Sequence, residues 1–89
     1  MKAVVTVVGK DRVGIIAQVC VELAEHHINV LDISQTVMQG YFTMMMVVDT
    51  AQCEMPLAEL CRRMDAKGQE MGVSIRVQRE DVFDAMHRV

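Results

Sequence analysis

The first 33 residues constrain the fold of this chain more than any other segment. They contain an apolar run over 3–8, a short polar loop with two glycines, an amphipathic stretch, and a second strand pattern that opens at Asn29. Gly14 lies where the loop becomes a helix, and there the free backbone N–H groups and the positive dipole end can meet an anionic group. A side chain at this point would obstruct a ligand, whereas glycine does not. We expect a small-molecule site here rather than a catalytic one.

The helix that follows the loop has an identifiable start and two distinct faces. Asp11 can cap a helix that begins at Arg12 or Val13, and the apolar periodicity continues to His27. The apolar positions recur at helical spacing: Val13, Ile16, Ala17, Cys20, Leu23, Ala24 and His27. Polar side chains occupy the opposite side, so this helix is predicted to lie with one face on a core.

The rest of the chain supplies three more strands and two more helices. Residues 29–38 alternate for much of their length, Gln39-Gly40 is a two-residue turn signal, and an apolar strand returns through Val48. Pro56 suits the first turn of a second helix, and Gly72 suits its end. The segment VSIRVQR alternates strictly, and the tail has Val82, Phe83, Met86 and Val89 at the spacing of a short closing helix.

This order of elements predicts an α+β fold in one domain over residues 1–89. The order strand, helix, strand, strand, helix, strand is the ferredoxin-like βαββαβ pattern, with a four-stranded antiparallel sheet, two helices on one face and a short C-terminal helix. Neither face of the sheet is polar, and we expect the face without the two helices to remain uncovered. An apolar patch of this kind usually marks a partner, and we predict a homodimer.

Composition excludes several classes of partner. The net charge is −3 and no basic run occurs, so nucleic acid is not expected as a partner. No segment approaches the roughly 20 apolar residues of a membrane span, and the N-terminal apolar run is too short for a signal peptide. We expect a cytoplasmic protein with no membrane partner. Nine methionines against three aromatic residues indicate an adaptable core or interface.

The sequence offers no catalytic or metal-binding constellation. Cys20, Cys53 and Cys61 are odd in number and widely spaced, which favours reduced core thiols over a zinc site or a reactive thiol. His26 and His27 are adjacent, so their side chains diverge by about 100° on a helix and do not share a metal unaided. No nucleophile stands at a recognisable spacing from a base and an orienting group. We expect no enzyme activity, no metal and no cofactor.

The residues described so far resemble the ACT domain, a regulatory amino-acid-binding module. The resemblance covers nearly the whole chain in element order, and its specific part is Asp11, Gly14, Ile15 and Asn29 with the second-strand sequence. The chain looks most similar to stand-alone bacterial proteins of one ACT domain, which share the segments VVGKD, YFTMM and FxAM. It is also similar to the ACT segment that precedes formyltetrahydrofolate deformylase, but it has no hydrolase domain, so that activity is not implied.

The resemblance implies a ligand site that two subunits share. In the family, the first loop and helix start of one subunit meet the second strand of a neighbour. By resemblance, the site comprises Asp11, Arg12, Val13, Gly14 and Ile15 of the loop, together with Asn29. Many members have proline where this chain has Val13, and proline would stiffen the loop. Read without the family, the glycines are turn residues, Asp11 is a helix cap, and Asn29 tolerates an unusual backbone angle before a strand.

Two functions are consistent with the sequence. The first is a non-enzymatic regulatory module that binds an amino acid or related metabolite at a homodimer interface. The second is a ligand-free interaction subunit that docks on a larger enzyme or regulator through its sheet face. The sequence specifies neither the ligand, nor the downstream partner, nor the pathway.

Overall fold

The computed structural model describes residues 1–10 and 13–86 and has the predicted ferredoxin-like architecture. The strands are β1 (Lys2–Lys10), β2 (Asn29–Met38), β3 (Tyr41–Asp49) and β4 (Ser74–Arg79). The helices are α1 (Ile15–Glu25), α2 (Leu57–Met71) and α3 (Glu80–Met86). The strand order is β2-β3-β1-β4, and every neighbouring pair is antiparallel. None of the helices described is long and apolar enough to cross a membrane.

The predicted hairpin joins β2 and β3 by a tight turn. Gln39 and Gly40 both have positive φ, 50° and 82°, which is the combination that two-residue hairpins of type I′ require. The ladder runs from Met38 opposite Tyr41 to Asn29 opposite Asp49, with one register shift between Val30 and Asp32. Because β2 has a neighbour on one side only, it forms an edge of the sheet.

The core lies between the sheet and the two longer helices. Alternate residues of the strands point into it, so the buried set repeats every second position: Ala3, Val5, Val7, Phe42, Met44, Met46, Val48, Ile75 and Val77. The helices cover them with Ile15, Val19, Leu23, Leu60, Met64 and Met71. Met44 and Met46 are fully buried while Met45 points to the other face, as predicted for a methionine run on a strand.

The opposite face of the sheet differs from the prediction, because α3 folds back onto part of it. This helix contacts β1 and β4, and Gln78 Nε2 donates a hydrogen bond of 3.4 Å to Met86 Sδ. Val4, on this face, is only 4% exposed. Periodicity shows that the tail is a helix but not which surface it covers. The predicted tail residues His87 and Val89 lie outside the described residues.

Helix α1 begins and ends differently from the prediction. It starts at Ile15, not at Arg12 or Val13, because Gly14 adopts a left-handed backbone (φ 91°) and precedes the first helical residue. It ends at Glu25, since His27 takes a left-handed conformation (φ 59°). The N–H groups of His27 and Ile28 donate to the carbonyls of Ala24 and Leu23, a Schellman ending with histidine in place of glycine.

Gly68 permits the close approach of α2 to β4, and its replacement should destabilise the fold. A Cβ there would lie 2.7 Å from the Val73 carbonyl oxygen and 3.1 Å from the Ile75 backbone nitrogen. At an open helical position glycine to alanine gains about 0.5–1 kcal/mol. Here we expect Gly68→Ala to lower the free energy of unfolding in urea by about 1–3 kcal/mol. The exposed neighbour Gln69→Ala should change it by less than about 0.5 kcal/mol. A stabilised Gly68→Ala would contradict this packing.

Candidate functional site

Among the described residues, no side chain caps the start of α1. Gly14 is the residue before the helix, and its carbonyl accepts the first helical hydrogen bond, from the Gln18 N–H at 2.9 Å. The N–H groups of the first helical turn have no acceptor within the helix. No acidic side chain lies in the first turn of α1. The N-terminus of α1 therefore presents hydrogen-bond donors and the positive end of the helix dipole, which favour an anionic group.

Space around Gly14 is free on the side where a ligand would approach. A Cβ at this position would meet only Gln18 Nε2, at 3.6 Å, among the described atoms. Val13 beside it is 99% exposed, so an apolar side chain stands uncovered at the tip of the loop. Asp11 and Arg12, which the sequence assigned to the same site, lie outside the described residues. Of the other predicted loop residues, Val13 and Gly14 lie at the start of α1, whereas the Ile15 side chain is buried in the core.

Asn29 lies at the other end of the molecule. It opens β2 and pairs with Asp49, which in turn pairs with Lys2 at the start of β1. The loop that carries Gly14 instead follows Lys10 at the far end of β1. Eight strand steps separate Lys2 from Lys10, a distance of roughly 26 Å. One chain therefore does not bring Gly14 and Asn29 together.

Asn29 opens onto a shallow groove of about 570 Å³, whose other lining residues are Ala24, His27, Ile28, Gln52 and Glu54. The sequence analysis missed His27, Gln52 and Glu54, since Gln52 and Glu54 come from the loop after β3. The strained backbone belongs to His27 and not to Asn29, which starts a regular strand. The alternative explanation of Asn29, tolerance of an unusual backbone angle, is therefore wrong.

At the groove end of the sheet, the Asp49 carboxylate is held by a backbone hydrogen bond and by the N-terminal amino group. The backbone N–H of Ala51 donates to Asp49 Oδ1 at 2.9 Å, and the N-terminal amino group of Met1 lies 3.5 Å from the same atom. These interactions, the Ala51 hydrogen bond first, hold the pKa of Asp49 below its usual value. Asp49 is therefore ionised at neutral pH, directly across the ladder from Asn29.

Other titratable side chains are held in local structural contacts. His26 Nε2 lies 2.9 Å from Glu22 Oε2 along α1, and Cys61 Sγ donates to the Val77 carbonyl at 3.2 Å. All three cysteines are free. Over residues 1–10 and 13–86, no group of three or more histidine, cysteine, aspartate or glutamate residues could hold a metal ion.

The fold, the glycine at the helix start and the opening of β2 agree with a match to a known family. The family model of the ACT domain matches residues 2–78, and the chain belongs to this family of regulatory ligand-binding modules.

Relatives match the chain over nearly its whole length. A UPF0237 protein of Bifidobacterium longum is 51% identical over 88 residues, covering 99% of this chain and 98% of that protein. An ACT domain protein from Streptococcus pneumoniae superposes with a TM-score of 0.84 at 45% identity, covering 98% of each chain. A formyltetrahydrofolate deformylase from Pseudomonas syringae has a similar fold (TM-score 0.79, 22% identity) over 88% of this chain and 27% of that one.

The three thiols should react at different rates, and the rate of Cys61 should depend on pH. Burial raises the pKa of the Cys61 thiol, so at pH 8 less of it is the reactive thiolate than of an unperturbed cysteine. We expect Cys61 to be the slowest of the three towards a thiol-specific disulfide reagent, with a rate that keeps rising as pH increases. Cys61→Ala should remove only this slow phase. Unfolded, unreduced protein should titrate three thiols, and a smaller number would contradict free cysteines.

Proposed function

We propose that the protein is a non-enzymatic, cytoplasmic regulatory module that binds an amino acid or related metabolite at the interface of a homodimer. The observation that supports the proposal is that Gly14 and Asn29, the two positions predicted to bind the ligand, lie at opposite ends of one sheet. Each chain alone offers half a site: the loop of Asp11, Arg12, Val13, Gly14 and Ile15 at one end, and Asn29 at the other. A second copy can complete both halves.

The β2 edge is the surface best suited to join two copies. It is ten residues long, its outer N–H and C=O groups have no neighbouring strand, and Asp32 is its only charged residue. Its large apolar side chains are exposed: Leu31 47%, Ile33 44%, Val37 54% and Met38 68%. Native proteins normally keep an edge strand short, place charged residues on it, or cover it with another element. The other edge, β4, has six residues and carries Arg76 and Arg79.

Antiparallel pairing of two β2 strands brings the half-sites together. The start of the partner's β2 then lies beside the end of β2 in the first chain, near Met38. Met38 pairs with Tyr41, which pairs with Lys10, the residue before the loop. Asn29 of the partner subunit would therefore approach the Gly14 loop, and two-fold symmetry would create two equivalent sites.

The two halves are chemically complementary to a zwitterion. The open N–H groups and dipole at the start of α1 suit a carboxylate. The Asn29 side-chain oxygen, with the Glu54 carboxylate that lines the same groove, supplies acceptors for an ammonium group. Val13, exposed at the loop tip, provides an apolar contact for the ligand side chain or the second chain.

A second candidate function is a ligand-free subunit that docks on a larger protein through the sheet face. It is supported by apolar residues that α3 leaves exposed there, including Val8, Tyr41 and Met45. On this hypothesis Gly14 is a turn residue only. The two functions make opposite predictions for a small ligand.

We expect an amino acid or related metabolite at millimolar concentration to stabilise the protein. A ligand at about 100 times its dissociation constant adds roughly 2.7 kcal/mol, which raises Tm by about 10 °C or more in a domain of this size. By calorimetry, Asn29→Ala should weaken binding about 2- to 13-fold, the equivalent of one neutral hydrogen bond. Sedimentation equilibrium should give the dimer mass for both proteins.

The matched control is Ser74→Ala, exposed on the far edge strand, which should leave affinity unchanged. Gly14→Asp tests the loop, because aspartate repels a carboxylate and is less strained at positive φ than most other side chains. Wild-type affinity in both Asn29→Ala and Gly14→Asp would place the site elsewhere. The absence of any stabilising metabolite would favour the ligand-free subunit.

A further inference from the structure

A second concave surface lies on the face of the sheet opposite α1 and α2. It is a groove of about 270 Å³ between α3 and β2, which we call the α3 groove. Its lining includes Val4, Asp32, Ser34, Met45, Val47, Glu80, Phe83 and Asp84. No residue of the proposed metabolite site lines it, so it calls for a separate explanation.

The space beside α3 has the dimensions of one helix. This helix packs over β1 and β4, so β3 and β2 are left bare on the same face. Two strand spacings from β1 to β2 amount to about 10 Å, and a helix with its side chains is about 10–12 Å across. Along β3, the exposed face extends from Tyr41 to Val47, about 20 Å, which corresponds to roughly 13 helical residues.

The floor of the groove is apolar and adaptable. Met45 is 39% exposed at its centre, with Val47 half-buried beside it. Past the groove on the same face, the exposed pair Thr43 and Thr36 is followed by Tyr41 (58% exposed) and Met38 (68% exposed). Methionine side chains adjust to differently shaped partners, and exposed apolar residues of this kind are typical of an interaction surface.

The rim of the groove carries charge of one sign. Asp32, Glu80 and Asp84 line it, and no lysine or arginine among the described residues does. Within the described part of the chain, none of these three carboxylates forms an ion pair, whereas the neighbouring Asp81 is paired with Arg79 at 2.6 Å. The surface is therefore complementary to a cationic, partly apolar partner.

We propose that the α3 groove binds a basic amphipathic helix of a partner protein. The apolar face of that helix packs on Met45 and Val47, and its lysine or arginine residues meet Asp32, Glu80 and Asp84. A second copy of this chain fits less well, because its own α3 has three acidic and no basic residues over Glu80–Met86 and would repel the rim. The same charge disfavours nucleic acid and anionic lipid.

Resting on the proposed function, this surface would connect metabolite binding to a second protein. Asp32 and Ser34 belong to β2, the strand that would also pair two copies and hold Asn29. A ligand that strengthens the pairing of two β2 strands would therefore change the positions of Asp32 and Ser34 in the α3 groove. Binding of a partner helix to the groove does not depend on that coupling and can be tested without any metabolite.

The test uses two fluorescein-labelled 14-residue helical peptides, one with leucine on one face and lysine on the other, and one with glutamate in place of each lysine. By fluorescence anisotropy, the lysine peptide should bind and the glutamate peptide should not. The double variant Asp32→Asn, Asp84→Asn should weaken binding about three- to tenfold, because two partly exposed charge pairs are lost. Asparagine at 32 can still accept the Ile33 N–H hydrogen bond that Asp32 accepts.

The matched control is the double variant Glu25→Gln, Asp65→Asn, which changes the net charge equally on the helix-covered side of the molecule. It should leave affinity within about 1.5-fold, since exposed charges beyond a Debye length contribute little. Amide shifts in heteronuclear NMR spectra should map to α3, Met45 and Val47. Equal losses in both double variants, shifts confined to another surface, or no binding of the lysine peptide at millimolar concentration would each overturn the proposal.

Discussion

The direction in which α1 returns the chain is the constraint on which the proposed function depends. Strand β1 ends at Lys10, α1 carries the chain back, and β2 begins at the end of the sheet where β1 starts, with β3 between the two strands. Any residue at the start of α1 is therefore separated from any residue at the start of β2 by the length of the sheet. Gly14 and Asn29 occupy these two positions. A site that uses both must take one from each of two chains.

The two sheet surfaces left open by the described fold differ in chemistry, and on this difference we propose a different partner for each. The β2 edge offers unpaired backbone groups and apolar side chains, which suit a second copy of the same strand. The α3 groove offers an apolar floor and an acidic rim, which suit a cationic partner. Helix α3 creates this division, because it covers Val4 while leaving Met45 half open.

The sequence predicted the elements well because each has a local signal. The strict alternation of VSIRVQR matches the burial of Ile75 and Val77 in β4, and Gln39-Gly40 identified the hairpin turn, as the positive φ of both residues confirms. The start of α1 was predicted wrongly at Arg12 or Val13, because Asp11 is a conventional cap signal. The left-handed conformation of Gly14 postpones the helix to Ile15.

Information that depends on distant packing was not available from the sequence. The tail was recognised as a helix, but the surface that it covers is decided by contacts with Gln78 and its neighbours. The groove around Asn29 takes Gln52 and Glu54 from a loop that has no motif. The unusual backbone angle expected at Asn29 is found at His27 instead. There the left-handed conformation forms the C-terminal end of α1 and has no role in starting β2.

The most direct test of a shared site mixes two variants that each damage one half. Gly14→Asp chains repel the ligand carboxylate, and Asn29→Lys chains repel its ammonium, so neither homodimer should bind a metabolite found by thermal shift. Random exchange of the two makes half of the dimers mixed, and each mixed dimer has one intact site. Calorimetry should then recover about one quarter of the wild-type sites, at wild-type affinity. No recovery in a mixture shown to contain mixed dimers would contradict a site built from two chains.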